Sequence, residues 1–311
     1  MSSFFPLRNR DAADAYVHAL FEAGYKISLK MQEADFLLYD YERGSGGKRA
    51  EMERFLASKP GFIYPHTPLS WFIWDGAYRP LPVACNFVAG EAAVEGMKAY
   101  GYPYRVEAVG FSRCEVRDFK PTTGKRVLFV PARVRKDGGY ASEEYKVKTP
   151  QAFRFLLDHA NEFEKVTVCY THSFGAVGIS DMVGEATAKG FELIFTDPYR
   201  DTSPMKSMME RIDVADLVIS CETVGCVSVA KGKPTVFYNA RAIPTTLAGQ
   251  AQHPEAYKEY SFPLTLEEMT VNDILAVRDE KNDAVEHWKQ RNIGGNFQAE
   301  KFLRIVKEEV V

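Results

Sequence analysis

Two stretches carry charged and polar side chains where a parallel α/β sheet would offer them to a ligand. The first, ARVRKDGG at residues 132–139, follows the apolar run RVLFVP. Arg133 and Arg135 present guanidinium forks, Lys136 adds an ammonium, and Gly138 and Gly139 allow close main-chain approach. Such a set suits the two phosphates of a nucleoside diphosphate; a solvated basic hairpin tip is the plainer alternative. The loop matches neither G-x-x-x-x-G-K-[ST] nor G-x-G-x-x-G, which speaks against a P-loop ATPase and a standard dinucleotide fold. The second stretch is ADLVISCETVGCVSVAKGKPTVFYN at residues 215–239. A strand ending at Ser220 runs into Cys221, Glu222, Thr223, Val224 and Gly225, and a short helix follows whose N-terminus would offer amides and a positive dipole end to an anion. Thr223 is expected to cap that helix and donate to a phosphate, and Glu222 to accept from ribose hydroxyls. Ser220 and Gly225 complete the expected donor set. Alternatively Thr223 is only a cap and Glu222 only a favourable dipole charge.

A group transfer to a hydroxyl gains from a base that titrates near neutral pH, and histidine is the usual choice. His66 follows the apolar run GFIY in the proline-bounded loop PHTP, so it is the expected catalytic base, with a histidine merely hydrogen-bonded in a stiff loop as its plainer counterpart. His172, in YTHSFG after another apolar run, is the second candidate for that catalytic base, and is expected near the base or sugar of a donor rather than as the catalyst. His18, His159, His253 and His287 receive no role. Trp71, Phe72, Trp74 and Tyr78 could stack on a sugar or an unpaired base, although packing explains such a cluster equally well. Arg43, Lys48 and Arg49 around RGSGGKR could meet an anionic acceptor, with a mobile charged loop as the alternative.

Those loops need a scaffold of strands alternating with helices. SSFFPL, YKISL, ADFLLYDY, GFIYPH and the start of NFVAGEAAVEGMKAYGYP read as strands, with Gly24 expected to cap the first helix. From RVLFVPA onward a second series runs through KVTVCYT, FELIFTD, ADLVIS and KPTVFYN, with helices PQAFRFLLDHANEF, SDMVGEATAKG and SPMKSMMERID between them. Strands apolar on both faces require helices on both faces. The polar stretch DFKPTTGK suggests a junction, giving a Rossmann-like domain at 1–120, a second at 121–285 and a helical tail at 286–311 that packs back on the first domain. The expected fold is α/β, two doubly wound Rossmann-like domains facing a cleft, with ligands outside the carboxyl ends of the strands.

Composition narrows the classes. With 46% hydrophobic and 26% charged residues, the 311-residue chain can bury a core and lacks the makeup of a disordered protein. Lys plus Arg at 39 against Asp plus Glu at 42 gives a net charge of −3, so no global positive field holds a polyanion. Cys85, Cys114, Cys169, Cys221 and Cys226 show no zinc spacing and read as mostly buried thiols of a reducing compartment. No apolar run has the length of a membrane span or a signal peptide, so a cytoplasmic location is expected.

The basic loop after the first strand of the second series, then ADLVIS, a small polar turn, a helix, GKPTVFY and a helical tail resembles the C-terminal half of GT-B glycosyltransferases and their relatives. These include the CDP-glycerol glycerophosphotransferase type and the non-hydrolysing UDP-sugar 2-epimerases. GFIYPHTP, NFVAGEAAVEGMKAYGYP and RVEAVGFSRC resemble the histidine loop, strand–helix–glycine unit and "vG" turn of their N-terminal half. The resemblance covers nearly the whole chain. Glu222 and Thr223 stand where relatives commonly carry paired glycines or serines.

The resemblance implies a glycosyltransferase, or polyol-phosphate transferase, moving a group from a nucleotide diphosphate donor to an acceptor hydroxyl, with 121–285 as the nucleotide-donor domain and 1–120 as the acceptor domain. It implies no permanently bound cofactor, a UDP-type sugar nucleotide as donor, and a glycan, polyol phosphate or modified DNA base as acceptor. It also implies work without a metal, in keeping with the lack of a D-x-D signature; Arg133, Arg135, Lys136 and the helix amides would neutralise the leaving diphosphate. The alternatives are a sugar-nucleotide 2-epimerase, a DNA-base glycosyltransferase and a non-catalytic nucleotide-binding protein.

Overall fold

Short apolar β-rich runs separated by helical patterns fold as parallel strands with helical crossovers. A computed structural model describes residues 2–7, 10–39, 46–65, 81–99, 101–131, 142–170, 178–195, 204–238, 266 and 269–310. The chain divides into two units, Met1–Glu115 with Ala248–Glu259 and Gln290–Val311, and Val116–Leu247 with Tyr260–Lys289. Each carries one parallel sheet.

The first unit contains β1 (Ser3–Leu7), β2 (Lys26–Ile27), β3 (Phe36–Tyr39), β4 (Gly61–Ile63), β5 (Cys85–Val88) and β6 (Val106–Ala108), in the order β2-β1-β3-β4-β5-β6. Helices Arg10–Glu22, Gly46–Leu56 and Glu91–Ala99 connect them. Gly24 ends the first helix at φ +86, the left-handed conformation that glycine adopts without strain. The core is aromatic. Tyr16 lies 4.5 Å from Phe297 and 5.2 Å from Phe302 between ring centroids, and Phe62 stacks on Phe87 at 6.0 Å. Such pairs each add about 0.5–1.5 kcal/mol beyond the area they bury. The amphipathic helix Ala299–Glu309 completes this core by burying Phe302, Ile305 and Val306. YKISL shrinks to the two residues of β2 because it lies at the sheet edge and pairs with β1 alone; Leu29 beyond it is exposed.

The second unit contains β7 (Arg126–Phe129), β8 (Lys165–Tyr170), β9 (Glu192–Phe195), β10 (Leu217–Ser220) and β11 (Thr235–Phe237), in the order β11-β10-β7-β8-β9. The first strand is therefore central, and successive strands build outward on both sides of it. Helices Ser142–Asp158, Val183–Ala188, Pro204–Val214 and Glu222–Ala230 connect the strands. The helix expected to start at Pro150 starts at Ser142 and carries Pro150 inside it. Burial of Thr149, Ala152, Phe153, Leu156 and Leu157 along one face outweighs the single main-chain bond that proline removes. The long C-terminal pattern after residue 264 yields the helix Val271–Ala276, started by a capping box between Thr270 and Asp273.

Residues 116–125 form neither helix nor strand and run along the second unit. The Arg117 amide donates to Ala230 at 2.8 Å and the Lys120 amide to Gly232 at 2.9 Å. The Arg278 guanidinium, 7% exposed, donates to the carbonyls of Thr123 and Gly124.

Candidate functional site

The two ends of the second sheet differ in character. At the amino end the charges answer one another. Arg126 grips Asp216 with Nε–Oδ2 at 2.7 Å and Nη2–Oδ1 at 2.9 Å, and the Arg126 amide adds a bond of 3.0 Å to Oδ2. The guanidinium holds the Asp216 carboxyl below the usual carboxylate range. Lys233 Nζ donates to the carbonyls of Asp213 and Ala215 at 2.6 and 3.0 Å, and burial pulls its ammonium pKa down. These contacts hold the strands together and leave little to bind a ligand.

At the carboxyl end the strand order reverses between β7 and β10, where a doubly wound sheet opens a crevice between diverging crossovers. Phe129 registers with Ile219, and the Val130 amide continues the ladder to the Ile219 carbonyl at 3.0 Å. Pro131, buried, is the last described residue before the basic loop, so that loop leaves the sheet beside the turn that follows Ser220. Two stems that are about ninety residues apart in sequence are thus neighbours. Arg133, Arg135 and Lys136 themselves lie outside the described residues, as does His172, whose stem Tyr170 ends β8 on the other side of β7. His66 and the aromatic residues 71–78 also lie outside them. The stem of His66, Tyr64–Pro65, is buried beyond β4, with the Tyr64 amide bonded to Tyr39 at 2.9 Å.

The turn after β10 is described, and it corrects several expectations. The helix runs from Glu222 to Ala230, with Cys221 as its N-cap in an extended conformation at φ −141 and ψ 176. Thr223 is therefore the second helical residue and not the cap, because the strand releases the chain at Ser220 and the turn takes only one residue. The Ser220 hydroxyl, fully buried, lies 3.3 Å from the carbonyl oxygens of Val130 and Cys221, contacts that tie the ends of β7 and β10 together. Gly225 is buried, and its amide donates to the Cys221 carbonyl at 3.3 Å, so that amide closes the helix and is not presented to an anion. Glycine is needed there because a Cβ would come closer than 3.0 Å to the Phe237 ring on β11.

What remains for a ligand is the first turn. An α-helix leaves the amides of its first residues, here Glu222, Thr223 and Val224, without intrahelical acceptors. Cys221 makes no side-chain bond to them, since its thiol donates to the Tyr238 hydroxyl at 2.8 Å. Thr223 is half-buried, and the dipole adds positive potential at that end. The arrangement can hold an anion beside the carboxyl ends of β7 and β10. Cys221 and Tyr238 were missed in the sequence; the one available signal was a cysteine at an N-cap position that usually holds Ser, Thr, Asp or Asn.

Other candidates are engaged elsewhere. Arg49 pairs with Glu53 at 3.0 Å within its own helix, and burial pushes the Cys85 thiol up to about 12. No group of three His, Cys, Asp or Glu could hold a metal ion among the described residues, and no described helix is long and apolar enough to cross a membrane.

No protein-family model matches the chain, and no curated protein does. Solved structures do. A "putative UDP-N-acetylglucosamine 2-epimerase" from Listeria monocytogenes aligns with a TM-score of 0.61 at 13% identity, over 98% of this chain and 95% of that one. MnaA of S. aureus in a co-structure with UDP aligns with a TM-score of 0.58 at 13% identity, over 99% and 96%. The pneumococcal O-GlcNAc transferase GtfA with UDP and GlcNAc aligns at 0.45 and 10% identity, over 88% of this chain and 56% of that one. At such identities the likeness is one of fold. Two parallel-sheet α/β units, arranged in the strand orders described, give this chain a GT-B-like fold.

Proposed function

We propose that the protein acts on a nucleotide-activated sugar, with the nucleoside diphosphate bound at the carboxyl ends of β7 and β10. The observation that carries this is the meeting of the basic loop's stem with a helix N-terminus whose cap residue points elsewhere. The UDP in the MnaA co-structure supports a UDP-type donor. In this reading Arg133, Arg135 and Lys136 neutralise the two phosphates, and the amides of Glu222 and Thr223, with the Thr223 hydroxyl, take the remaining charge. Glu222 accepts from the ribose and His172 lies near the base or sugar.

The reaction is transfer to a hydroxyl. His66 takes the acceptor proton as the acceptor oxygen bonds to the anomeric carbon; the bond from that carbon to the diphosphate breaks, and its electron pair leaves with the diphosphate. For a polyol-phosphate donor the acceptor oxygen bonds instead to the phosphorus that carries the polyol; the bridging P–O bond of the diphosphate breaks, and its electron pair leaves with the nucleoside monophosphate. Preorganised donors aimed at the leaving group give the largest share of such catalysis, on the order of 3–4 kcal/mol for each group removed.

Calorimetric titration of UDP, CDP, GDP, ADP and TDP tests the site: one or more should bind, and Arg133→Ala or Thr223→Ala should weaken that binding. Unchanged affinity in both variants would remove the assignment. In a transfer assay His66→Ala should lose most of its turnover, and full turnover would remove the base. Product formed from the sugar nucleotide alone, inverted at C2, would replace transfer by epimerisation.

A further inference from the structure

Tyr238 stands one residue past β11, with 1% of its surface exposed, and its amide donates to the Ser220 carbonyl at 3.2 Å. Its hydroxyl accepts from the Cys221 thiol at 2.8 Å and from the Thr149 hydroxyl at 3.4 Å. Cys221 caps the helix Glu222–Ala230, and Thr149, fully buried, belongs to the helix Ser142–Asp158 that follows the basic loop. One phenolic oxygen therefore ties together the end of β11, the turn after β10 and the helix that receives the chain from β7. The ring packs on Phe129 at 5.6 Å between centroids, so the oxygen is placed by a packed ring and not by a mobile side chain. Burial keeps water from competing for these bonds.

The N-cap position shows what the network does. An oxygen-bearing cap would turn back to accept from a first-turn amide and answer it from within the protein. Here the cap is a cysteine whose thiol is drawn toward Tyr238. We propose that Tyr238 is a positioning residue for the nucleotide site: its hydroxyl holds the Cys221 side chain away from the helix and fixes the first-turn amides for a diphosphate. This rests on the reading of the turn after β10 as the phosphate site.

The test titrates UDP into the intact protein and its variants by calorimetry, well below each melting temperature, so that a purely structural loss does not alter the affinity of the folded molecules. Tyr238→Phe should weaken UDP binding roughly tenfold, of the order of one buried hydrogen bond. Thr149→Val should act in the same direction but less. Ser228→Ala is the control: its hydroxyl is buried on the same helix 2.8 Å from that of Thr235, so its loss should lower melting temperature and leave affinity unchanged. Wild-type protein that binds none of UDP, CDP, GDP, ADP and TDP would overturn the phosphate-site reading and the inference with it; where another of the five binds in place of UDP, the same comparison of variants is made with that one. Wild-type binding with unchanged affinity in Tyr238→Phe would overturn the inference alone, as would an equal loss in Ser228→Ala. If Tyr238→Phe does not fold, Thr149→Val decides by the same criterion.

Discussion

Gly225 lies under the ring of Phe237 so closely that a Cβ at that position would come within 3.0 Å of it. The contact sets how near the helix Glu222–Ala230 lies to β11, and hence where its first turn points. Gly225→Ala should destabilise the protein by about 1–3 kcal/mol, as overpacking of a close-packed core does. In a double-mutant cycle followed by denaturant unfolding, Phe237→Leu should cost less in the Gly225→Ala background than in wild type. Additive losses would mean that the two residues do not compete for the same space.

Asp216 gives the fold an acid-sensitive joint. Its hydrogen bond from Arg126 lowers its pKa below the 3.8 of an ordinary aspartate. The stabilisation is therefore present above the unfolded pKa and is lost as pH falls through the lower, folded value. Asp216→Asn should cost about 1–2 kcal/mol at neutral pH, a modest figure because the guanidinium is half exposed and screened. The gap between wild type and variant should close below about pH 4, where the unfolded aspartate protonates. Urea unfolding at stepped pH measures it; a gap independent of pH would deny the ion pair its role.

In the first unit, Gly110 adopts φ +80, and a Cβ there would strike the main chain of Asn296. This approach accompanies the bridge between Phe111 and Asn296 that brings the C-terminal segment onto the sheet. Gly110→Ala should lower stability by at least about 1–2 kcal/mol, from the left-handed backbone alone. Thermal unfolding checks the loss, and nucleotide affinity measured well below the transition should stay unchanged, because the proposed site lies in the second unit.

If Arg135 and Lys136 meet a diphosphate, binding should weaken with salt. Raising salt from about 50 to 500 mM shortens the screening length several-fold and should reduce UDP affinity. Arg135→Ala and Lys136→Ala should each bind more weakly at low salt and show a flatter dependence. A wild-type affinity indifferent to salt would place the basic loop away from the ligand.

Much of the scaffold was legible because its signals are local. RVLFVPA, KVTVCYT, ADLVIS and KPTVFYN are apolar on both faces and bounded by helical patterns, so they could only be buried parallel strands. The exceptions turned on tertiary contacts. Pro150 sits inside a helix because its neighbours are buried, and YKISL yields only Lys26–Ile27 because, among the described residues, it stands at the edge of its sheet. Within the site, the loops after β7 and β10 could be marked as chemistry-bearing from residue types. Their adjacency required the strand order. The cap fell to Cys221 instead of Thr223 because one residue suffices for the turn, and the Tyr238–Cys221–Thr149 network joins positions spread over ninety residues that no local pattern connects.

A nucleoside diphosphate bound at the carboxyl ends of β7 and β10 should leave its mark on amide hydrogen exchange measured with and without UDP. Exchange should slow in two segments, residues 130–136 and 221–224, with no change at the amino ends of the same strands around Arg126 and Leu217. Protection confined to the amino ends, or no protection in either segment at saturating UDP, would contradict it.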